Sequence, residues 1–451
     1  AAGAIASDVY TNVSGTSGTV VYRVTPLSGA GCSGDAFDIT VTVDPEPDVL
    51  AADATICSGE TTSISITNPN GVAGTTYSWT VTPTNVTGAA AGSGNVISQL
   101  LTSTTGNTQG TVDYIITPSA NGCDGTPLMI TVTVDPVPDV LATPSTENIC
   151  SGATTAIALS NPNSVVGTIY AWTVVADANI TGASDDNGSS INQMLTNTSN
   201  VSGLVTYTII PTATGCNGLP INVSVVVDPV PTIATTGDEV LCSGETTNIM
   251  ASNPNSVAGT AYSWTVFSST NVTNATAGTG DRINQTLTST DGINVGTVVY
   301  QITASSGICI GGMENVTVTV NPDVNVDSGG DQVVCEGSPL SLGGSITGGT
   351  TNGTWSTIGD GVFDDTGTNT GVFGTSTVYT PGPTDISNGS VDITLTANDV
   401  DGPGGPCPIR DDVFTLTINP IALVTVMPDF AICEPVTIPV TGTIGGGATL
   451  G

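Results

Sequence analysis

The sequence predicts an all-β fold, built as an elongated tandem array of small β-sandwich domains. One observation is a repeated phrase. Tyr77-Ser78-Trp79-Thr80-Val81 returns as Tyr170-Ala171-Trp172-Thr173-Val174 and Tyr262-Ser263-Trp264-Thr265-Val266, and more loosely as Thr354-Trp355-Ser356-Thr357. These four tryptophans, the only ones in 451 residues, fall 93, 92 and 91 positions apart. A single indole per period, set in an alternating strand, is what pins the core of a small sandwich, so Trp79, Trp172, Trp264 and Trp355 are the expected core residues. The other observation is strict period-2 alternation, as in Ile130-Thr131-Val132-Thr133-Val134 and Val316-Thr317-Val318-Thr319-Val320. No segment shows the apolar stripe and caps of a helix, so no helix is expected.

Each period runs through the same stations. A stiff linker comes first, as Asp44-Pro45-Glu46-Pro47, Asp135-Pro136-Val137-Pro138 and Asp228-Pro229-Val230-Pro231. Its prolines cannot donate ladder hydrogen bonds. A first strand ends in a Cys-Ser-Gly turn at Cys57, Cys150 or Cys242, and an Asn-Pro-Asn turn then leads into the tryptophan strand. A strand bearing Tyr114, Tyr207 or Tyr300 follows, then a turn with Cys123, Cys216 or Cys309, then the alternating last strand. The resulting domains are 46–136, 137–229, 230–321 and a divergent 322–420. Residues 1–45 read as the C-terminal half of a repeat and 421–451 as an N-terminal half.

The ten cysteines follow the period, one early and one late in each repeat. If the first strand runs away from the linker and the last strand returns toward it, both cysteines of a repeat lie at its far end. That expectation pairs Cys57 with Cys123, Cys150 with Cys216, Cys242 with Cys309 and Cys335 with Cys407, one disulfide per domain. Cys32 and Cys433 then have partners outside the segment. Disulfides at this regularity belong to an oxidising, extracellular setting. The first residues, Ala1-Ala2-Gly3-Ala4-Ile5, have no basic flank, so any export signal lies outside them.

Composition excludes several classes of function. With 38 acidic residues, three arginines (Arg23, Arg282, Arg410), no lysine and no histidine, the formal charge is −35. Such a chain repels nucleic acid and anionic lipid, and it contains no stretch apolar enough to insert in a membrane as a helix. Without histidine or lysine there is no Ser-His-Asp triad, Cys-His pair, Schiff base or His-ligated zinc, so no catalytic residues are expected. Asp364-Asp365 and Asp411-Asp412 read as solvated loop charges, because neighbouring strand residues face opposite ways. No cofactor is expected apart from calcium, whose candidate ligands are Asp44, Glu46, Asp48, Asp135 and Asp139 at the joints, with Asp323 and Asp327 at a later one. Asp399 and Asp401 form a candidate loop. None of these matches a complete calcium loop. Asn-x-Ser/Thr sequons recur at Asn85, Asn179, Asn271 and Asn315, but a chain so rich in Asn, Ser and Thr produces many by chance.

The Cys-Ser-Gly-Glu and Gly-Cys-Asp-Gly turns carry a resemblance. So do Asp331-Gln332-Val333-Val334-Cys335-Glu336-Gly337, Val378-Tyr379-Thr380-Pro381 and Asp385-Ile386-Ser387-Asn388-Gly389-Ser390-Val391. Together they resemble the PKD-like and immunoglobulin-like repeats of large secreted surface proteins of Bacteroidota, including gliding-motility adhesins exported by type IX secretion. The resemblance implies a non-enzymatic, extracellular, cell-surface fibre or stalk of an adhesin. Its neighbours would be further repeats of the same chain and an unnamed surface or glycan target. Two other readings stay open. One is a self-assembling filament or sheath held by homotypic contacts. The other is a spacer for a carbohydrate-binding or enzymatic head outside this segment.

Overall fold

The computed structural model describes residues 7–374, 376–432 and 437–446. The chain forms two compact units, 1–229 and 230–451. Each holds two complete repeats and a flanking hairpin.

In the 46–136 repeat the main sheet is ordered by hydrogen bonding as first strand (Ala54–Cys57), closing strand (Leu128–Asp135), tyrosine strand (Gly110–Ala120), tryptophan strand (Thr76–Thr84) and a short edge (Gly92–Ser93). All its neighbours are antiparallel except one. The first strand runs parallel to the closing strand, with Ala54 opposite Val132 and Cys57 opposite Asp135. Short strands around Glu60–Thr61, Ile64–Ser65, Val86–Thr87, Val96–Ile97 and Leu100–Ser103 make the facing layer. The other three repeats keep this strand order and this parallel pair.

Alternation dictates the core. Along the tyrosine strand Val112, Tyr114 and Ile116 point inward, as do Ile130, Val132 and Val134 beside them, while Asp113, Thr131 and Thr133 between them are half-buried and Ile115 is exposed. The four tryptophans are buried, each in its own repeat's hydrophobic cluster. Trp79 and Trp264 lie opposite glycines, Gly92 and Gly278, in register. A Cβ on Gly278 would stand 2.5 Å from Trp264 Cζ2, so in these two repeats the edge strand approaches the indole through a glycine, whereas Asp186 lies opposite Trp172.

A polar network accompanies the indole in three repeats. Tyr207 Oη donates to Gln193 Oε1 at 2.8 Å, and Gln193 Nε2 donates to the Ser184 carbonyl at 2.8 Å, which also accepts Trp172 Nε1 at 3.3 Å. Tyr114–Gln99 at the Ala90 carbonyl and Tyr300–Gln285 at the Thr276 carbonyl repeat it. Burial pushes Tyr114, Tyr207 and Tyr300 up to about 12.

The divergent repeat departs from the expectation of no helix. Pro383–Asn388 is a short α-helix, opened by Gly382 and Pro383 and stopped by Gly389 in the left-handed conformation at φ 75°. Asp360 accepts the N–H groups of Thr384 and Asp385 at its start. The flanking segment near the N-terminus is a hairpin, Gly18–Val24 with Phe37–Val43, in which Tyr22 lies opposite Ile39 as Tyr114 lies opposite Ile130. Leu423–Val426 pairs with Gly442–Gly445 in the other flank. Cys433 lies outside the described residues.

Candidate functional site: the joints between repeats

The parallel pair decides where each cysteine sits. Because the first strand runs alongside the closing strand in the same direction, its cysteine arrives where the chain leaves the repeat. Cys57 lies opposite Asp135, Cys150 opposite Asp228, Cys242 opposite Asn321 and Cys335 opposite Asn419. In each case the next residue's N–H donates to the carbonyl of that opposite residue, at 2.7–2.8 Å. This is the trailing end.

The late cysteine is at the other end. Its turn is packed on the linker that leads into the same repeat, closely enough that a Cβ on Gly218 would come within 2.0 Å of the Pro138 carbonyl oxygen. Gly125 meets Pro47, and Gly311 meets Pro231, in the same way. A repeat therefore carries its two cysteines at opposite ends, about 25 Å apart along the eight-residue closing strand.

The expected pairings within a repeat are accordingly corrected. Cys57 is bonded to Cys216 and Cys242 to Cys407, with Cα–Cα distances of 5.7 and 5.0 Å. Each bond joins the trailing end of one repeat to the leading end of the next. Cys150 and Cys309, at a trailing and a leading end, are also disulfide-bonded. Cys32, Cys123 and Cys335 are free thiols among the described residues.

Hydrogen bonds hold the linkers against the repeats. Asn163 Oδ1 accepts the Asp139 N–H at 3.1 Å, while its Nδ2 donates to the Val137 carbonyl at 2.9 Å and, across the joint, to the Gly106 carbonyl at 3.3 Å. Asn70 and Asn255 clamp their own linkers likewise. At the joint following the 230–321 repeat, Asn321 Nδ2 donates to Asp401 Oδ2 at 3.1 Å, and the Cys407 N–H donates to the same oxygen at 2.9 Å. Arg410 forks onto Asp323 through Nε and Nη2, at 3.2 and 3.0 Å, and this pairing raises the guanidinium further.

The calcium candidates are engaged as turn and linker acceptors. Asp48 and Asp139 accept the N–H of the residue after them, Asp44 accepts Ser17 Oγ, and Glu46 accepts Thr126 Oγ1. Asp135 is buried and accepts Gln109 Nε2 at 2.7 Å. Asp399 accepts the N–H groups of Asp401 and Gly402, and Asp327 that of Gly329. Asp401 Oδ1 is buried without a hydrogen-bond partner. Among the described residues no group of three or more Cys, Asp or Glu is gathered so as to hold a metal ion.

Of the adjacent carboxylates, Asp364 and Asp365 are exposed in a turn, as expected, whereas Asp411 and Asp412 open a strand, Asp411–Asn419. Asp364 accepts the Val378 N–H at 2.7 Å, Asp365 the Val372 N–H at 2.6 Å, and Asp412 both Ser328 groups, which hold its carboxyl below the usual range. A cleft of about 360 Å³ in the divergent repeat is lined by Asp360, Asp385 and Asp392. Buried Asp385 accepts from the Gly361 and Gly382 N–H groups and from Tyr379 Oη at 2.5 Å. These carboxylates tie loops together.

The PKD-like domain family matches residues 1–47, 54–138, 147–231 and 239–324, about two thirds of the chain. No curated protein matches. Among solved structures, the insect immune protein hemolin aligns over 83% of this chain and 100% of its own, at 13% identity and a TM-score of 0.26. Immunoglobulin domains 1–5 of Sidekick-1 align over 90% of this chain and 96% of theirs, at 11% identity and a TM-score of 0.25. Cadherin domains 3–6 of protocadherin gamma B2 align over 83% and 99%, at 13% identity and a TM-score of 0.23. The chain belongs to the PKD-like domain family, as an all-β tandem of disulfide-bonded repeats.

Proposed function

We propose that this chain is a non-enzymatic extracellular stalk or fibre segment of a bacterial cell-surface adhesin, like the gliding-motility adhesins of Bacteroidota that its repeats resemble. The observation that carries the reading is the placement of the disulfides, which join consecutive repeats at Cys57–Cys216 and Cys242–Cys407. A bond inside a domain protects that domain alone. A bond across a joint fixes one module to the next, which serves a chain that must hold its form between two attachment points.

The polar chemistry is consistent with this role. The carboxylates at the joints and in the divergent-repeat cleft are engaged by backbone N–H groups and neighbouring side chains. Sugar binding by these repeats themselves is disfavoured. Their aromatic content is 4%, and the tryptophans are in the core, which leaves few rings to stack on a sugar.

The test is antibody labelling of intact source cells, with antibody raised against residues 46–420. Thread-like labelling on the outer surface is expected. Labelling only after lysis would overturn the reading, and laterally packed bundles would move it to the self-assembling sheath.

A further inference from the structure

We infer that Cys335 and Cys123 are open positions of a disulfide ladder, and that each forms an inter-repeat disulfide with the facing cysteine wherever a complete PKD-like repeat flanks it in the same chain. The two bonds resolved within the units obey one rule, from the trailing-end cysteine of a repeat to the leading-end cysteine of the next. Cys335 occupies the trailing station in every detail. It lies opposite Asn419 in the parallel pair, as Cys242 lies opposite Asn321, and the Glu336 N–H reaches the Asn419 carbonyl at 2.8 Å. The same station in the other three complete repeats is bonded at Cys57, Cys150 and Cys242.

Cys123 occupies the leading station, opposite Ala120 as Cys216 lies opposite Ala213, with its turn on the Pro47 carbonyl as that of Cys216 is on Pro138. Burial marks what the partner does there. At the leading station bonded Cys216 and Cys309 are 2% and 0% exposed, whereas free Cys123 is half-buried. At the trailing station bonded Cys57 and Cys150 are half-buried and Cys242 is 3% exposed, whereas free Cys335 is exposed.

Bond formation needs an oxidant, and an exported dithiol oxidase in its disulfide form supplies it. The Cys335 thiolate attacks one sulfur of that disulfide, and the other leaves as a thiolate. The partner cysteine's thiolate then attacks the Cys335 sulfur of the mixed disulfide. Two electrons and two protons pass from the two cysteines to the oxidase, which departs as a dithiol.

The test inserts a flanking repeat into the whole chain. A second copy of Pro322–Asn419, placed between Asn419 and Pro420, sets a copied Cys407 at the trailing end that bears Cys335. After folding with oxidised glutathione, native maleimide labelling of Cys335 should fall at least tenfold. A Cys335–copied Cys407 peptide should appear by mass spectrometry. Adding Cys335→Ser should leave the copied Cys407 as a labelled free thiol. A copy of Pro136–Asp228 placed between Asp44 and Pro45 should protect Cys123 in the same way through the copied Cys150, and it keeps the question answerable if the first insert does not fold. Full labelling of Cys335 or Cys123 beside an insert whose tryptophan is buried would overturn the inference. So would reductant-sensitive dimers of the unmodified chain through either thiol, since the partner would then be a second copy.

Discussion

Cys57 is bonded to Cys216, 159 positions further along and in the following repeat, while Cys123 in its own repeat remains a free thiol. With Cys242–Cys407, spanning 165 positions, this changes the path that a pulling force takes. Between Cys57 and Cys407 the shortest covalent route is the first bond, the backbone from Cys216 to Cys242, and the second bond.

That route predicts a mechanical response. Stretched between residues 57 and 407, the oxidised chain can lengthen to only about 90–100 Å, because 26 residues carry the load. In reductant the same pull releases 350 residues, on the order of 1,200 Å. Single-molecule force spectroscopy with and without a phosphine reductant reads the difference, and long oxidised extensions would refute it.

The tryptophan core should respond repeat by repeat. Trp172→Ala is expected to destabilise its repeat by ~3–5 kcal/mol. Gly278→Val, which forces methyl groups into the Trp264 ring, is expected to destabilise by ~1–3 kcal/mol or more. Hydrogen-exchange mass spectrometry in increasing denaturant, which reads each repeat through its own peptides, checks both.

The tyrosine network gives a sharper signature. Gln193→Leu leaves Tyr207 Oη buried without an acceptor, at a cost of about 1–3 kcal/mol. Tyr207→Phe added to that change should recover part of the loss, because the orphaned hydroxyl is then gone. Thermal unfolding of the two single variants and the double variant tests the coupling.

Alkaline stability follows from the same hydroxyls. Tyr114, Tyr207 and Tyr300 are raised from 10 to about 12 by burial. The fold favours the protonated form, so their contribution is complete below pH 10 and is lost as pH rises from 10 through 12. Each should cost on the order of 1.4 kcal/mol per pH unit in that window. Urea midpoints between pH 8 and 12 should be flat first and then fall.

Much of this was legible in the sequence. The spacing of Trp79, Trp172 and Trp264 located the cores, and Val/Thr alternation located the inward faces, because burial on a pleated strand has period 2. The disulfide pairing was not legible, since alternation carries no direction. A first strand antiparallel to the closing strand and one parallel to it read identically, yet the choice moves Cys57 from one end of its repeat to the other. Gln99, Gln193 and Gln285 were missed although they recur with the tryptophan period. The short helix at Pro383–Asn388 was hidden because one and a half turns hold no stripe. Its Pro383 and Gly389 brackets were the available signal.

Direct disulfide mapping tests the central claim. The oxidised chain, thiol-blocked and cleaved with chymotrypsin and a glutamate-specific protease without reductant, should yield linked peptides joining Cys57 to Cys216 and Cys242 to Cys407. Cys123 and Cys335 should carry the blocking group. Linked peptides joining Cys57 to Cys123 and Cys242 to Cys309 would contradict the account and return each disulfide to the interior of a single repeat.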